Sequence, residues 1–231
     1  MSARASLDVT RIRAVLFDLD GTLLAIRGGT SDGHLARRLM FLTPVLPGHD
    51  PEAFARRFFV LSETPTNYLL AVLDRLGLDS WLRPLADQAR RAKGIGTSRA
   101  STMVSGAGAA LDAVGAHYPL AVLTNRSRVQ ARELLAHHGL ADRFRAITTR
   151  GDLWRFKPHP QAVRHSAARL SVPPESILMV GDMPVDMQTA RRAGAQAVGV
   201  LTGFATGAEL SASGAALVLP SVAELPAAIL G

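Results

Sequence analysis

The chain has 231 residues, of which 48% are hydrophobic and 19% are charged, and it contains no cysteine. This length suits one large domain or a domain with a sizeable insertion, and the apolar fraction excludes a disordered chain. The absence of cysteine excludes disulfides, thiolate metal sites and a cysteine nucleophile, and no apolar run approaches the roughly 18 residues that span a bilayer.

The formal charge of +7 comes almost entirely from arginine, which supplies 24 of the 26 basic residues. The arginines stand singly or in pairs, without a basic run of five and without interleaved aromatic residues, so the charge does not predict a nucleic-acid partner. Residues 1–13 contain no apolar stretch of the secretory type, and we therefore expect a cytoplasmic protein without a membrane partner.

Short apolar runs that alternate with amphipathic helices predict an α/β fold with a parallel, doubly wound sheet. The first buried strand is predicted at residues 14–17 and the second at residues 120–123. The later elements are predicted as helix 128–138, strand 146–148, helix 162–170, strand 177–180, helix 185–193, strand 197–200 and strand 217–219, with further helices between and after the last two strands.

A long helical segment separates the first two predicted strands. From about residue 30 to residue 93, apolar residues recur at helical spacing and are interrupted by proline and glycine, with no convincing strand. We therefore predict an α/β catalytic core of residues 1–25 and 101–231, with an inserted all-helical domain of residues 26–100.

Polar residues follow the predicted strands at the edge where open α/β sheets bind ligands. Four aspartates, one lysine and a Thr-Asn pair would share this edge: Asp18, Asp20, Thr124, Asn125, Lys157, Asp182 and Asp186. Because four carboxylates are costly to bring together without a counter-ion, the pattern implies a divalent cation. Oxygen ligands without cysteine favour Mg²⁺ over zinc.

The chain resembles the haloacid dehalogenase (HAD) superfamily of aspartyl-phosphate hydrolases, and within it the phosphoglycolate-phosphatase-like members. The resemblance covers nearly the whole chain and rests on four motifs in the expected order: residues 18–23 (DLDGTL), Thr124-Asn125, Lys157-Pro158, and Gly181-Asp182 with Asp186. Each motif alone is weak, but four in order at these spacings form a strong signal. The insertion matches the α-helical cap domain of that family.

The residue types fit the transfer of a phosphoryl group. Asp18 would attack phosphorus as the nucleophile, and Asp20 could protonate the leaving oxygen and later deprotonate the attacking water. Thr124 and Asn125 would bind phosphate oxygens, while Lys157 would offset the negative charge of the phosphoryl group and Asp18.

The metal ligands are predicted among the same residues. Asp18 and Asp182 would bind Mg²⁺ directly, and Asp186 would either bind the ion or orient a ligating water. The resemblance adds the backbone carbonyl of Asp20 as a further ligand. In addition, a capping-box pattern at residues 127–130 predicts a helix start whose positive end faces the phosphate.

The predicted function is a Mg²⁺-dependent phosphomonoester phosphatase that acts on a small phosphorylated metabolite through an aspartyl-phosphate, as a monomer or homodimer. The resemblance implies phosphate-ester chemistry because dehalogenases lack a carboxylate at the position of Asp20. One alternative is a sugar-phosphate mutase of the β-phosphoglucomutase type. A second alternative is a HAD-like fold that only binds a protein or nucleic acid, which the net charge alone suggests.

Substrate choice is predicted to reside in the inserted domain, which would close over the site and exclude water. Between Arg27 and Arg99 the chain has 11 basic and 7 acidic residues. We hypothesise that arginines of this segment bind a second anionic group of the substrate, such as a carboxylate, although arginines on a solvated helix surface would give the same pattern. The candidates are Arg27, Arg37, Arg38, Arg56 and Arg57.

Overall fold

The structure is a computed structural model that describes residues 6–25 and 101–231. The predicted helical domain of residues 26–100 and its five candidate arginines lie outside the described residues, so the domain boundaries and the cap stay predictions. Within the described ranges, no helix has the length and apolar character needed to cross a membrane.

Eight strands and six α-helices alternate along the described residues. In chain order the strands are β1 (Ala14–Phe17), β2 (Leu24–Ala25), β3 (Thr102–Met103), β4 (Leu120–Thr124), β5 (Ala146–Thr149), β6 (Ile177–Gly181), β7 (Gln196–Val200) and β8 (Leu217–Leu219). The helices are α1 (Ala107–Gly115), α2 (Arg128–His137), α3 (Gln161–Leu170), α4 (Pro184–Ala193), α5 (Gly207–Ser213) and α6 (Leu225–Ile229).

Six of these strands form one parallel sheet in the order β5-β4-β1-β6-β7-β8. The doubly wound α/β class predicted from the sequence is confirmed, and the strands and helices whose bounds were predicted within residues 6–25 and 101–231 are present to within one residue at either end. The residues of β1 are apolar throughout because both faces of this strand are buried. Val15 and Phe17 pack into one of two apolar clusters, and Ala14 and Leu16 pack into the second. A parallel strand buried on both faces must be apolar throughout.

Three elements of the core were not predicted. Strands β2 and β3 pair antiparallel at the two ends of the insertion, with Leu24 opposite Met103, and two-residue strands carry too little pattern to recognise. Helix α1 follows Gly106, whose φ of 77° places it in the left-handed region. Its sequence, AGAALDAVG, is rich in alanine and glycine, which blurs the apolar periodicity of a helix.

The carboxyl ends of β1, β4 and β6 lie side by side because β1 is hydrogen-bonded to the other two strands. From β1 the sheet extends through β4 and β5 on one side and through β6, β7 and β8 on the other. This reversal is the topological switch point at which doubly wound sheets bind ligands. The fold therefore directs attention to the residues that follow these three strands.

Candidate active site

The residues after the three central strands are the ones that the sequence motifs singled out. Asp18 directly follows β1, Thr124 is the last residue of β4, and Asp182 directly follows β6. The backbone N–H of Asp18 donates to the carbonyl of Val180 at 2.9 Å, which ties the end of β1 to β6. The parallel register of the sheet thus sets the spacing between Asp18 and Asp182.

Lys157 connects two of the predicted carboxylates although it comes from the loop between β5 and α3. Its Nζ donates to Asp18 Oδ1 at 2.7 Å and forms an ion pair with Asp186 Oδ1, also at 2.7 Å. Burial disfavours the charged ammonium, but the two carboxylates outweigh it and raise the pKa of Lys157 above its usual range. Lys157 is therefore a permanent positive charge in the site.

The surroundings of Asp18 disfavour the ionised form of its carboxyl group. Burial raises the pKa of its carboxyl to about 8; the Lys157 ammonium opposes this rise, and the neighbouring charge of Asp186 adds to it. One lysine does not compensate for the burial and the like charges around Asp18. An added cation at this point would favour the ionised carboxylate.

The side chains of Asp18, Asp182 and Asp186 each offer one carboxylate oxygen, and these oxygens lie within 4.8 Å of one another. Asp182 is fully buried, and Asp186 is 1% exposed. All the offered donors are hard oxygens, which suit divalent cations such as Mg²⁺ better than they suit soft metals. The geometry and the donor set therefore fit a divalent metal ion.

Two glycines leave room for the Asp182 carboxylate. A Cβ atom at Gly21, where φ is 83°, would lie 2.4 Å from Asp182 Oδ2, and a Cβ at Gly203 would lie 1.7 Å from the same oxygen. The carboxylate is also held by hydrogen bonds from Thr22 Oγ1, at 3.4 Å to Oδ1, and from the Phe204 N–H, at 3.2 Å to Oδ2. The loops after β1 and β7 thus enclose this oxygen, and sequence reasoning did not identify the loop after β7.

Asp20 is paired with an arginine. Arg126, which follows the Thr-Asn motif, donates from Nε to Asp20 Oδ2 at 2.7 Å and from Nη2 to Oδ1 at 2.5 Å. Lys157 was predicted as the positive charge of the site, whereas Arg126 was not predicted. A signal was present, since Arg126 follows the end of a strand adjacent to β1.

Lys157 and Arg126 by themselves do not balance the charge of the four aspartates. Two cations, Lys157 and Arg126, contact three of the four carboxylates. If all four are ionised, these six side chains carry two net negative charges, which matches the charge of one divalent cation. Arg126 compensates one of the four carboxylate charges, and a metal ion would compensate the net charge that remains.

The Thr-Asn motif forms a loop whose backbone is held in place. Thr124 Oγ1 accepts from the Arg126 N–H at 3.2 Å, which leaves the Thr124 hydroxyl proton to donate elsewhere. Arg150, which is 3% exposed, donates from Nη1 to the carbonyl of Asn125 at 2.8 Å. Ser127 Oγ accepts from the Gln130 N–H at 3.4 Å, and this capping box confirms the predicted start of α2.

Fold and site together define a doubly wound α/β protein with a buried acidic centre at its switch point. Residues 12–194 match the family described as haloacid dehalogenase-like hydrolase. This match covers well over half of the chain, and the chain therefore belongs to the haloacid dehalogenase-like hydrolases.

Individual relatives resemble parts of the chain. A phosphoglycolate phosphatase from Neisseria meningitidis is 42% identical over 86 residues, which span 37% of this chain and 37% of that protein. A phosphoglycolate phosphatase from Cupriavidus necator is 34% identical over 110 residues, which span 48% of each chain. The chain thus matches less than half of the length of these relatives.

The fold also matches solved structures over nearly the whole chain. A HAD family hydrolase from Deinococcus radiodurans R1, solved with bound phosphate and sodium, is 25% identical. It superposes with a TM-score of 0.62 and covers 95% of both chains. This agreement supports the assignment of the fold.

Proposed function

We propose that this chain is a Mg²⁺-dependent phosphomonoester phosphatase that acts on a small phosphorylated metabolite through an aspartyl-phosphate on Asp18. One observation carries the proposal: the Asp18 carboxylate, at the end of the central strand, lies 2.7 Å from Lys157 and within 4.8 Å of oxygens from Asp182 and Asp186. A buried carboxylate beside a fixed cation and two further carboxylates suits nucleophilic attack on a phosphate ester. The two relatives named phosphoglycolate phosphatase support the phosphatase class.

In the first half-reaction, an Asp18 carboxylate oxygen bonds to phosphorus while the bond from phosphorus to the ester oxygen breaks. Asp20 gives its proton to the departing oxygen, so that the product leaves as a neutral alcohol. The phosphoryl group is then held on Asp18 as an acyl phosphate.

In the second half-reaction, water attacks the phosphorus of the aspartyl-phosphate. The Asp20 carboxylate takes a proton from this water as the bond between phosphorus and Asp18 breaks. Inorganic phosphate leaves, and both aspartates return to their starting protonation states. The same side chain thus serves first as the acid and then as the base.

The remaining residues of the site bind and orient the phosphoryl group. Lys157 offsets negative charge on the phosphoryl oxygens and Asp18, and the Thr124 hydroxyl and the Asn125 backbone N–H bind these oxygens. Asp18, Asp182 and Asp186 would hold Mg²⁺, with the backbone carbonyl of Asp20 as a further proposed ligand. When bound, the ion supplies positive charge that the phosphoryl oxygens share in the transition state.

A panel of phosphorylated metabolites, assayed for release of inorganic phosphate with Mg²⁺ and with a chelator, tests the proposal. We expect hydrolysis that requires the metal and falls at least about 1,000-fold in Asp18→Asn, which lacks the nucleophile. Asp112→Asn is the matched control, because Asp112 is 62% exposed on α1 and pairs with Arg143. Undiminished hydrolysis by Asp18→Asn would refute the assignment of the nucleophile.

The same panel separates hydrolysis from phosphoryl transfer within a sugar phosphate. With a hexose 1-phosphate as substrate, the proposal predicts free phosphate as the product, whereas a mutase would accumulate the isomeric hexose phosphate. Binding of DNA or RNA that weakens steeply with salt, together with no hydrolysis of any ester, would instead favour the non-enzymatic alternative.

A further inference from the structure

We infer that Arg126 is the residue that positions Asp20 for proton transfer. This inference rests on the proposed phosphatase function, in which Asp20 is the acid and the base. The observation behind it is a bidentate pair between the two side chains, with Nε–Oδ2 at 2.7 Å and Nη2–Oδ1 at 2.5 Å. Such paired hydrogen bonds fix the plane of a carboxylate as well as its distance.

The two members of the pair differ in their exposure. The Arg126 side chain is 3% exposed, whereas the Asp20 side chain is 24% exposed. The buried guanidinium is thus the fixed partner, and the carboxylate remains within reach of a substrate that enters the site. Because arginine stays protonated throughout the accessible pH range, Arg126 can orient a proton donor but cannot serve as one.

The backbone on both sides of the pair is also held in place. The Arg126 N–H donates to Thr124 Oγ1, so the arginine belongs to the same rigid loop as the proposed phosphate ligands. On the other side, the N–H of Gly21 donates to the carbonyl of Leu24 at 2.8 Å, and the N–H of Leu24 donates to the carbonyl of Leu19 at 2.8 Å. The χ angles of Asp20 are the remaining freedom, and the guanidinium restricts them.

The pairing leaves room for the chemistry that Asp20 must perform. A carboxylate has about four lone-pair directions, and the guanidinium fork uses one on each oxygen. Each oxygen therefore keeps a second direction that can carry or accept a proton. Without Arg126, the carboxylate would sample several rotamers, and only a fraction of them would reach the leaving oxygen.

Leaving-group dependence measures this role directly. Proton donation matters most when the leaving oxygen is strongly basic, as in phenyl phosphate, and least when it is weakly basic, as in 4-nitrophenyl phosphate. We therefore propose to measure kcat/KM for a series of substituted phenyl phosphates with the Mg²⁺-loaded wild-type protein. The variants are Asp20→Asn, Arg126→Gln, Arg126→Lys and the double variant of Asp20→Asn with Arg126→Gln.

We expect Asp20→Asn to lose about 100-fold or more with phenyl phosphate and far less with 4-nitrophenyl phosphate. Arg126→Gln should show the same dependence on leaving-group basicity, with a loss in kcat/KM of about tenfold or more for phenyl phosphate. The reason is that misplacing a catalytic group by about 1 Å costs up to about 100-fold in rate. The double variant should be no slower than Asp20→Asn alone, since both changes act through one proton transfer. Arg126→Lys, which keeps the charge without the fork, should lie between wild type and Arg126→Gln.

Arg128→Gln is the matched control, because Arg128 is two residues further along and pairs with Asp152 instead. It should leave the slope of the leaving-group series unchanged. Thermal unfolding of each variant identifies a folding defect. If Arg126→Gln is unfolded, the slope of the leaving-group series for Arg126→Lys decides whether Arg126 positions Asp20.

Several outcomes would overturn the inference while leaving the phosphatase function intact. One is a loss in Arg126→Gln that is equal for all leaving groups, as a general binding role would give. Another is full additivity of the Asp20→Asn and Arg126→Gln effects. By contrast, if the wild-type protein hydrolyses no ester, or if Asp18→Asn hydrolyses as fast as wild type, the proposed function itself fails.

Discussion

Replacing Gly203 by alanine should disable the proposed metal site without touching any ligand. The added Cβ would lie 1.7 Å from Asp182 Oδ2 and 2.3 Å from Asp182 Cγ. Cβ atoms in proteins essentially never lie closer than 3.0 Å to a heavy atom of a residue distant in the chain. The carboxylate or the loop after β7 must therefore move by more than an ångström.

The size of the effect follows from the tolerance of metal coordination. Ligand distances are held to within about 0.2 Å, so a displacement of this size removes Asp182 from the ligand set. Changes to residues that merely orient a ligand cost about 10- to 100-fold in affinity or activity. We therefore expect Gly203→Ala to weaken Mg²⁺ binding by at least about 100-fold, or roughly 2.8 kcal/mol.

The assay is the Mg²⁺ dependence of both kcat/KM and the thermal unfolding temperature. Gly207→Ala is the matched control, because its nearest non-local atoms would lie 3.8 Å from the added Cβ, which is an ordinary contact. Gly207 begins α5, a few residues beyond Gly203, and should tolerate alanine. If Gly203→Ala bound Mg²⁺ as tightly as the wild-type protein, the position of the Asp182 carboxylate would not be required for Mg²⁺ binding, and the reasoning would be refuted.

Two further predictions concern stability. Asp182→Asn should raise the unfolding temperature in the presence of a chelator, because it relieves like-charge repulsion. It should also abolish the rise in unfolding temperature that Mg²⁺ gives the wild-type protein. An unchanged rise with Mg²⁺ would contradict the assignment of Asp182 as a ligand. Asp152→Asn tests the pH dependence of stability. Burial raises the pKa of Asp152, but hydrogen bonds from Thr149 and Arg128 outweigh burial and hold this pKa below its usual value. This stability is present above the unfolded pKa of about 3.9 and is lost as pH falls through the lower folded pKa. Urea unfolding should therefore show Asp152→Asn to be less stable by about 1 kcal/mol at pH 7, with the deficit vanishing in acid; a deficit independent of pH would contradict this.

The fold could be predicted from the sequence because the physical signals of a parallel sheet are local. Each strand of four to five apolar residues is bounded by polar ones, and both of its faces must be buried. The order of strands and helices then defines a doubly wound topology, and the topology identifies the edge that binds ligands. Asp18, Lys157, Asp182 and Asp186 were grouped on this basis, and they lie together in the structure.

What could not be predicted depends on contacts between distant segments. The place of Arg126 after β4 puts it near the edge that binds ligands, but its pairing with Asp20 spans 106 positions of the chain, and the residues around either one do not specify that pairing. The same holds for Gly203, whose lack of a side chain matters only because Asp182 occupies the space. The spacing of apolar residues predicts which side of a helix or strand is buried, but it does not predict which loop contacts which carboxylate.

The charge balance of the site explains why these unpredicted residues matter. Arg126 and Lys157 reduce the net charge of the four aspartates without cancelling it, since Lys157 contacts Asp18 and Asp186 while Arg126 contacts Asp20. The Asp182 carboxylate accepts hydrogen bonds from a hydroxyl and a backbone N–H and occupies the space that two glycines leave. An alanine at either glycine would displace this carboxylate, and Gly203 makes the closer approach, which is why we place the decisive test of the site at Gly203.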